Sequence, residues 1–290
     1  MPRDLPVTSQ SDIERHVVQL VQSDLRGRFS LNSDETAWPV FISLLGSFRL
    51  LQAGQPVSIR GNSKASMLLG ALALRNGRPI AREALLNLFW PDTEDTDLAG
   101  QALHSLVRDL HKRLRANLGS VRLVVPADGH YRLNSEAGVG VDVAIFDALV
   151  TAGEQQVRAH NLAAAVTLYK QALTLYRGDL CVDTDVYACI QKEYLRGRYL
   201  TLLAWMADYH YRLGDYAESL AFVRRLLASD PCREDAHRLA MHCYMRLGER
   251  TQALRHYHLC VTVLQADLMV YPESETVALF EQIRRDPRSI

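Results

Sequence analysis

The chain has 290 residues, room for two domains of ordinary size, and its 48% hydrophobic and 23% charged content fits a globular protein, not a disordered or fibrous one. Thirty-three Lys and Arg balance 33 Asp and Glu, so whole-chain charge neither requires nor excludes nucleic acid. No run approaches the roughly 18 uninterrupted apolar residues of a membrane span, and the N-terminus lacks the basic start and apolar run of a secretory leader. The five cysteines, Cys181, Cys189, Cys232, Cys243 and Cys260, form no CxxC pair. Read as lying in helical, apolar contexts, they predict buried, reduced thiols and a cytoplasmic protein with no membrane contact.

Residues 1–38 are an extension with one helix expected over Asp12–Leu25, opened by the capping box Ser11-Asp12-Ile13-Glu14. Packing on a domain side is favoured for it over a dimer contact. Val40–Phe48 reads as a strand that Gly46-Ser47 punctuates and Phe48–Leu51 continues, Gln52–Gln55 as a turn and Pro56–Ile59 as a further strand. Ser63–Leu74 is helical and stops at Asn76-Gly77. Glu83–Phe89 is a short helix ended by Pro91, and Pro91–Asp97 is an acidic loop.

Leu98–Leu118 is the most informative segment. Ala102, Leu103, Leu106, Val107, Leu110, Leu114 and Leu118 form an apolar stripe at helical period. The opposite stripe, Gln101, His104, Ser105, Arg108, His111, Lys112 and Arg115, contains no acid; Asp109 stands off it. Asp128-Gly129 then separates Val121–Val125 from His130–Leu133, a strong hairpin signal. A cationic helix followed at once by a hairpin is the layout of a winged helix–turn–helix, which lays its second helix in the major groove. Charge agrees: residues 39–134 hold 12 Lys and Arg against 7 Asp and Glu, whereas residues 135–290 hold 17 against 20.

Beyond Asn134 the periodicity changes. Gly138-Val139-Gly140 reads as a linker, and Asp142 opens a helical region running to the end. Asn161-Leu162-Ala163-Ala164-Ala165-Val166, Asp215-Tyr216-Ala217-Glu218-Ser219-Leu220 and Glu249-Arg250-Thr251-Gln252-Ala253-Leu254 are copies of one pattern. The second and third copies are 34 residues apart, the tetratricopeptide period, with Asp230-Pro231 between them; the first spacing carries an insertion of 20. Stacked helix pairs of this kind bury one another's apolar faces and usually leave a concave surface. The expected fold class is mixed: an N-terminal α+β winged helix–turn–helix (39–135) followed by an all-α tetratricopeptide-like repeat domain (141–285).

Five stretches, in order, carry a resemblance. They are Leu45-Gly46-Ser47-Phe48-Arg49-Leu50 with Gly54-Gln55-Pro56-Val57; Leu85-Leu86-Asn87-Leu88-Phe89-Trp90-Pro91-Asp92; Gly129-His130-Tyr131-Arg132-Leu133; Val141-Asp142-Val143-Ala144-Ile145-Phe146; and Asp267-Leu268-Met269-Val270-Tyr271-Pro272 with Thr276-Val277-Ala278-Leu279-Phe280. Residues 40–285 thereby resemble the streptomycete antibiotic regulatory protein type of bacterial transcription regulator, an OmpR-type winged helix joined to a bacterial transcriptional activation domain. The resemblance implies an activator that binds double-stranded DNA and recruits RNA polymerase, a homodimer, with no enzymatic activity and no cofactor. It places Asp92, Thr93, Glu94 and Asp95 in a loop that touches the polymerase; the alternative is a solvated turn capping the next helix, with Asp97 near its start. The chain departs from the family at Gly100 and Gln101, where polar Asn or Arg is common, and at Ala81, where a capping Ser or Thr is usual. Gly100 costs roughly 1 kcal/mol of helix stability relative to Ala. No Gly-x-x-x-x-Gly-Lys-Ser/Thr run occurs, so the ATPase region of larger relatives is not expected.

Arg108, Lys112 and Arg115 supply cations at one-turn steps for phosphates. Gln101, His104, Ser105 and Arg108 occupy the half of the helix that meets base edges, where Gln pairs with adenine and Arg with guanine. His130 and Arg132 sit on the hairpin, within reach of an adjacent minor groove or of phosphates, and Lys64 starts a helix where amides also hold phosphate. His104 and His111 also fit plain surface residues, and Arg113 a surface ion-pair partner. Catalytic and metal readings fail on spacing: His256 and His258 are two apart, His237 and His242 five apart, and Cys243 beside His242 has no orienting third group. The repeat-region tyrosines read as gap fillers, a minority lining a groove. Two competing readings stand beside the regulator: a tetratricopeptide adaptor with a degenerate winged helix, and a regulator gated by a small-molecule effector in the repeats.

Overall fold

The computed structural model describes residues 38–285 apart from 62, 94, 119–121 and 135–137, without the side chains of 115–118. The expected helix over Asp12–Leu25 lies outside the described residues. The chain divides into two compact units, Met1–Leu195 and Arg196–Ile290.

The first unit opens with β1 (Val40–Ser43), β2 (Arg49–Gln52) and β3 (Gln55–Pro56), then α1 (Lys64–Leu74), β4 (Ile80–Ala81), α2 (Arg82–Phe89), α3 (Thr96–Leu118), β5 (Val124–Ala127), β6 (His130–Leu133) and β7 (Val139–Val141). One sheet has the order β3-β2-β1-β7 and the other β4-β6-β5. The β1 strand stops at Ser43, well short of Phe48, because the next two amides leave the ladder. Leu44 and Leu45 donate instead to the buried Asp142 carboxylate at 2.8–2.9 Å, as do Ser43 Oγ at 2.7 Å and the Val143 amide at 2.8 Å. Burial raises the Asp142 pKa, and these donors pull it back. The expected second strand at Pro56–Ile59 shrinks to the two-residue edge β3.

The glycine-bearing segment 138–140 is not a linker. Val139–Val141 pairs in parallel with Val40–Ile42. Gly140 serves close packing, since a β-carbon there would stand 2.7 Å from the Trp38 ring. Directly after it, α4 (Asp142–Arg158) begins, then α5 (Leu162–Leu175). Tyr169 of α5 fills the space beside Gly153 of α4, 2.2 Å from where a β-carbon would be.

Helix α6 (Val186–Arg212) carries the chain across the boundary between the units. The second unit continues with α7 (Tyr216–Ser229), α8 (Glu234–Arg246), α9 (Arg250–Asp267) and α10 (Ser274–Arg285). The three sequence copies each mark the turn into α5, α7 and α9. At each, two amides close the preceding helix in the same way: His160 to Val157 and Asn161 to Gln156, Gly214 to Tyr211 and Asp215 to His210, Gly248 to Met245 and Glu249 to Tyr244. This is the Schellman closure, which needs a left-handed residue. Gly214 and Gly248 supply it; the first copy uses His160 at φ 58°. The 20-residue insertion is divided between α6, which has 27 residues where α8 has 13, and the linker 176–185, longer than 230–233.

The cysteine expectation is corrected in part. Cys243 and Cys260 are buried, but Cys181 and Cys189 are exposed and Cys232 is half-buried. Cys181 lies in the linker before α6, outside any helix, and Cys189 is on the solvent side of α6, where its thiol donates to Asp183.

Candidate nucleic-acid interface

Helix α3 begins at Thr96, two residues before the expected start, because Asp95 caps it. Its Oδ1 accepts from the amides of Asp97 and Leu98, both at 3.0 Å. Ala99, Leu103, Val107, Leu110 and Leu114 face inward and are buried, so the apolar stripe sets the helix roll. The helix is held lengthwise by Gln52, whose amide donates to the Leu114 carbonyl at 2.7 Å.

That roll leaves Gln101, His104, Arg108 and Lys112 exposed, with Ser105 half-buried among them. The side chains of Gln101, His104, Arg108 and Lys112 have no hydrogen-bond or ion-pair partner among the described residues. Arg108 and Lys112 stand four residues apart, about 6 Å along the axis. Arg115 is on the same helix, but its side chain is outside the described set. Arg113, expected as an ion-pair partner, donates to the Ser58 carbonyl at 3.4 Å.

His111 does not join the exposed face. It is half-buried, and its Nε2 accepts the Val124 amide of the hairpin at 3.1 Å. Burial, and secondarily the charge of Arg122, push its pKa below the usual histidine value. A ring that accepts this amide ties α3 to the hairpin as a positioning group, unlike the DNA-facing or plain surface residue expected from the stripe.

The hairpin β5–β6 is built on a two-residue turn. Ala127 opposes His130, and both Asp128 (φ 48°) and Gly129 (φ 75°) are left-handed, as a type I′ turn requires. His130 is exposed at its tip, with Nδ1 2.8 Å from the Asp128 carbonyl, and Arg132 is half-buried opposite Val125. The third strand, β4, pairs with β6, and the next amide, Arg82, donates to the Gly129 carbonyl at 2.8 Å. Ala81 therefore leaves α2 without a side-chain cap, while the turn's carbonyl takes its first amide. Lys64 is exposed at the start of α1, its Nζ 4.2 Å from the centroid of Trp90.

In the acidic turn Asp92 is exposed and Thr93 half-buried, the Thr93 amide bonding to the Trp90 carbonyl. Asp95 is occupied as the α3 cap, and Glu94 lies outside the described residues.

The second unit holds a histidine contact that sequence spacing did not expose. His237 Nε2 lies 2.8 Å from the Pro231 carbonyl, which can only accept, so Nε2 carries the proton. Nδ1 must then accept from His256 Nε2 at 3.1 Å. Burial lowers both pKa values, that of His256 to about 4, with a smaller contribution from His237. The pair bridges α8 and α9, 19 residues apart; only a helical-hairpin register links them. A groove of about 630 Å³ opens in this unit, lined by Asp208, Asp235, Arg238, His242 and Glu275 among others. Among the described residues no group of three or more His, Cys, Asp or Glu is arranged to hold a metal, and no helix is long and apolar enough to cross a membrane.

Residues 141–284 match the family model of the bacterial transcriptional activator domain. Among curated proteins, the chain is similar to Regulatory protein AfsR of Streptomyces griseus, 29% identical over 251 residues, covering 86% of this chain and 25% of that protein. It is 28% identical over 256 residues to Regulatory protein AfsR of Streptomyces coelicolor, covering 88% and 25%. Regulatory protein DnrI of Streptomyces peucetius is 27% identical over 233 residues, covering 77% of this chain and 85% of that one. The chain thus spans about a quarter of the length of the AfsR proteins. Among solved structures it is similar to Mycobacterium tuberculosis EmbR in complex with a low affinity phosphopeptide, at a TM-score of 0.68 and 23% identity, covering 86% of this chain and 65% of that chain. That likeness carries the fold: a small β-containing N-terminal region followed by a helical domain.

Proposed function

The chain belongs to the streptomycete antibiotic regulatory protein type of regulator, and from that premise we propose that it is a sequence-specific DNA-binding transcriptional activator. In this reading α3 enters the major groove and the β5–β6 hairpin rests on the neighbouring backbone. Gln101, His104, Ser105 and Arg108 meet base edges, and Lys112, Arg115, Lys64, His130 and Arg132 meet phosphates. One observation carries the proposal: an exposed row of polar and cationic side chains, without partners among the described residues, on the helix that the hairpin abuts. A helix face serving only solvation would tolerate acids along it, and this stripe contains none.

RNA polymerase contact through the exposed Asp92 side of the acidic turn belongs to the same reading, with Asp95 retained as the helix cap. So does binding of two copies to repeated half-sites, which a measurement of protein-to-duplex stoichiometry tests.

The test is a titration of the wild-type chain against duplexes selected from a randomised pool, repeated with Arg108→Ala plus Lys112→Ala at roughly 50 and 200 mM salt. Each phosphate neutralised contributes about 0.9 to the slope of log affinity against log salt, so losing two lowers it by about 1.8. The wild-type advantage then grows about 12-fold on going from the higher to the lower salt. An unchanged slope refutes the assigned face.

A further inference from the structure

Gly100 counts against α3 by helix propensity, yet the structure gives it a use. It is buried in the first turns of α3, and a β-carbon built on it would stand 1.7 Å from a terminal nitrogen of Arg82 and 2.8 Å from the guanidinium carbon. The Arg82 guanidinium therefore occupies the space that any side chain at position 100 would take. Its backbone is fixed as well, the Arg82 amide donating a hydrogen bond to the Gly129 carbonyl in the hairpin turn. Arg82 thus runs from the hairpin turn to the start of α3, anchored at its backbone end.

We propose that Arg82 is a further DNA-contacting residue, a phosphate clasp set at the edge of the groove and made possible by Gly100. Gly100 lies one turn before His104 on the same side of α3, so the guanidinium borders the exposed face. Arg82 forms no ion pair or side-chain hydrogen bond among the described residues. A guanidinium is always charged and presents a planar fork that matches two phosphate oxygens. Arg82 stands on α2, the helix that in such domains crosses the backbone while α3 reads the bases, so its target is a phosphate and not a base edge. The missing side chain at position 100 leaves the fork room at the groove edge, which a β-carbon there would take away.

This inference rests on the DNA-binding reading, and its test separates the two. The selected duplex is titrated with wild type, Gly100→Ala, Arg82→Gln and the double variant, across salt, with thermal midpoints measured on the same samples. Gly100→Ala favours the helix and meets only the flexible tip of Arg82, so its midpoint holds or rises while affinity falls about threefold as the guanidinium is displaced. Arg82→Gln lowers affinity about fivefold near 0.15 M salt and reduces the salt slope by about 0.9. The double variant matches Arg82→Gln, because the glycine acts only through the arginine. Losses are uniform across duplexes carrying single base changes. Wild-type affinity in Gly100→Ala and Arg82→Gln, losses that add in the double variant, or a loss confined to one base pair overturns the clasp alone. A wild-type chain that binds no duplex overturns the DNA-binding reading and the clasp with it.

Discussion

Acid should loosen the second unit through the His237–His256 contact. In the folded chain His237 donates to Pro231 and offers its remaining lone pair to the N–H of His256. A proton on His237 Nδ1 would face the His256 N–H, and an imidazolium in either place loses hydration. His256 falls from 6.5 to about 4 on folding. A depressed folded-state pKa means that the unfolded chain binds more protons, so this stability is present above about pH 6.5 and drains away as the pH falls towards 4. Between about pH 7.5 and pH 5 the linkage amounts to about 2 kcal/mol for His256, and the partial exposure of its ring trims that to about 1–2 kcal/mol. Lowered likewise by burial, His237 acts in the same direction. Urea melts followed by helical circular dichroism at the two pH values measure it. His256→Gln keeps an N–H donor at the same reach but cannot titrate, so its melts should differ less between the two pH values than those of wild type. Equal pH dependence in wild type and His256→Gln would refute the neutral-pair argument.

Other consequences are as specific. His160→Gly should raise stability by about 1 kcal/mol, because His160 holds the left-handed position that glycine fills in the other two repeats; a thermal melt reads it, and a lower midpoint contradicts the Schellman assignment. Asp142→Ala should cost about 3 kcal/mol or more in urea, since it strands the amides of Leu44 and Leu45 in the interior. Asp95→Ala should cost about 1 kcal/mol through loss of the α3 cap. If activation in a transcription assay drops far more than DNA affinity does, Asp95 has a role beyond the cap.

Much of this architecture was legible because it is periodic. The α3 stripe, the Asp-Gly turn and the three repeat copies each announce themselves over several residues, and the structure has them in register. What stayed hidden depends on single groups meeting across long separations. Asp142 ends β1 from 98 residues away, and no local pattern in Val40–Phe48 records that. Gly138–Gly140 reads as a linker because glycine marks both turns and tight packing; the Trp38 ring decides between them. His111 belongs to the polar stripe by angle but is claimed by a hairpin amide 13 residues on. Arg82 carries no signal of its own in the sequence, since its meaning depends on an absence of side chain 18 positions later.

Strand β7 and the carboxylate after it have a practical corollary. The family match begins at residue 141, yet Val141 completes the N-terminal sheet and Asp142 closes its first strand. Severing the chain at the apparent seam near residue 135 would amputate an edge of that sheet and uncover main-chain donors. A fragment meant to bind duplex on its own should therefore retain α4, so that the neighbouring domain's opening residues travel with it.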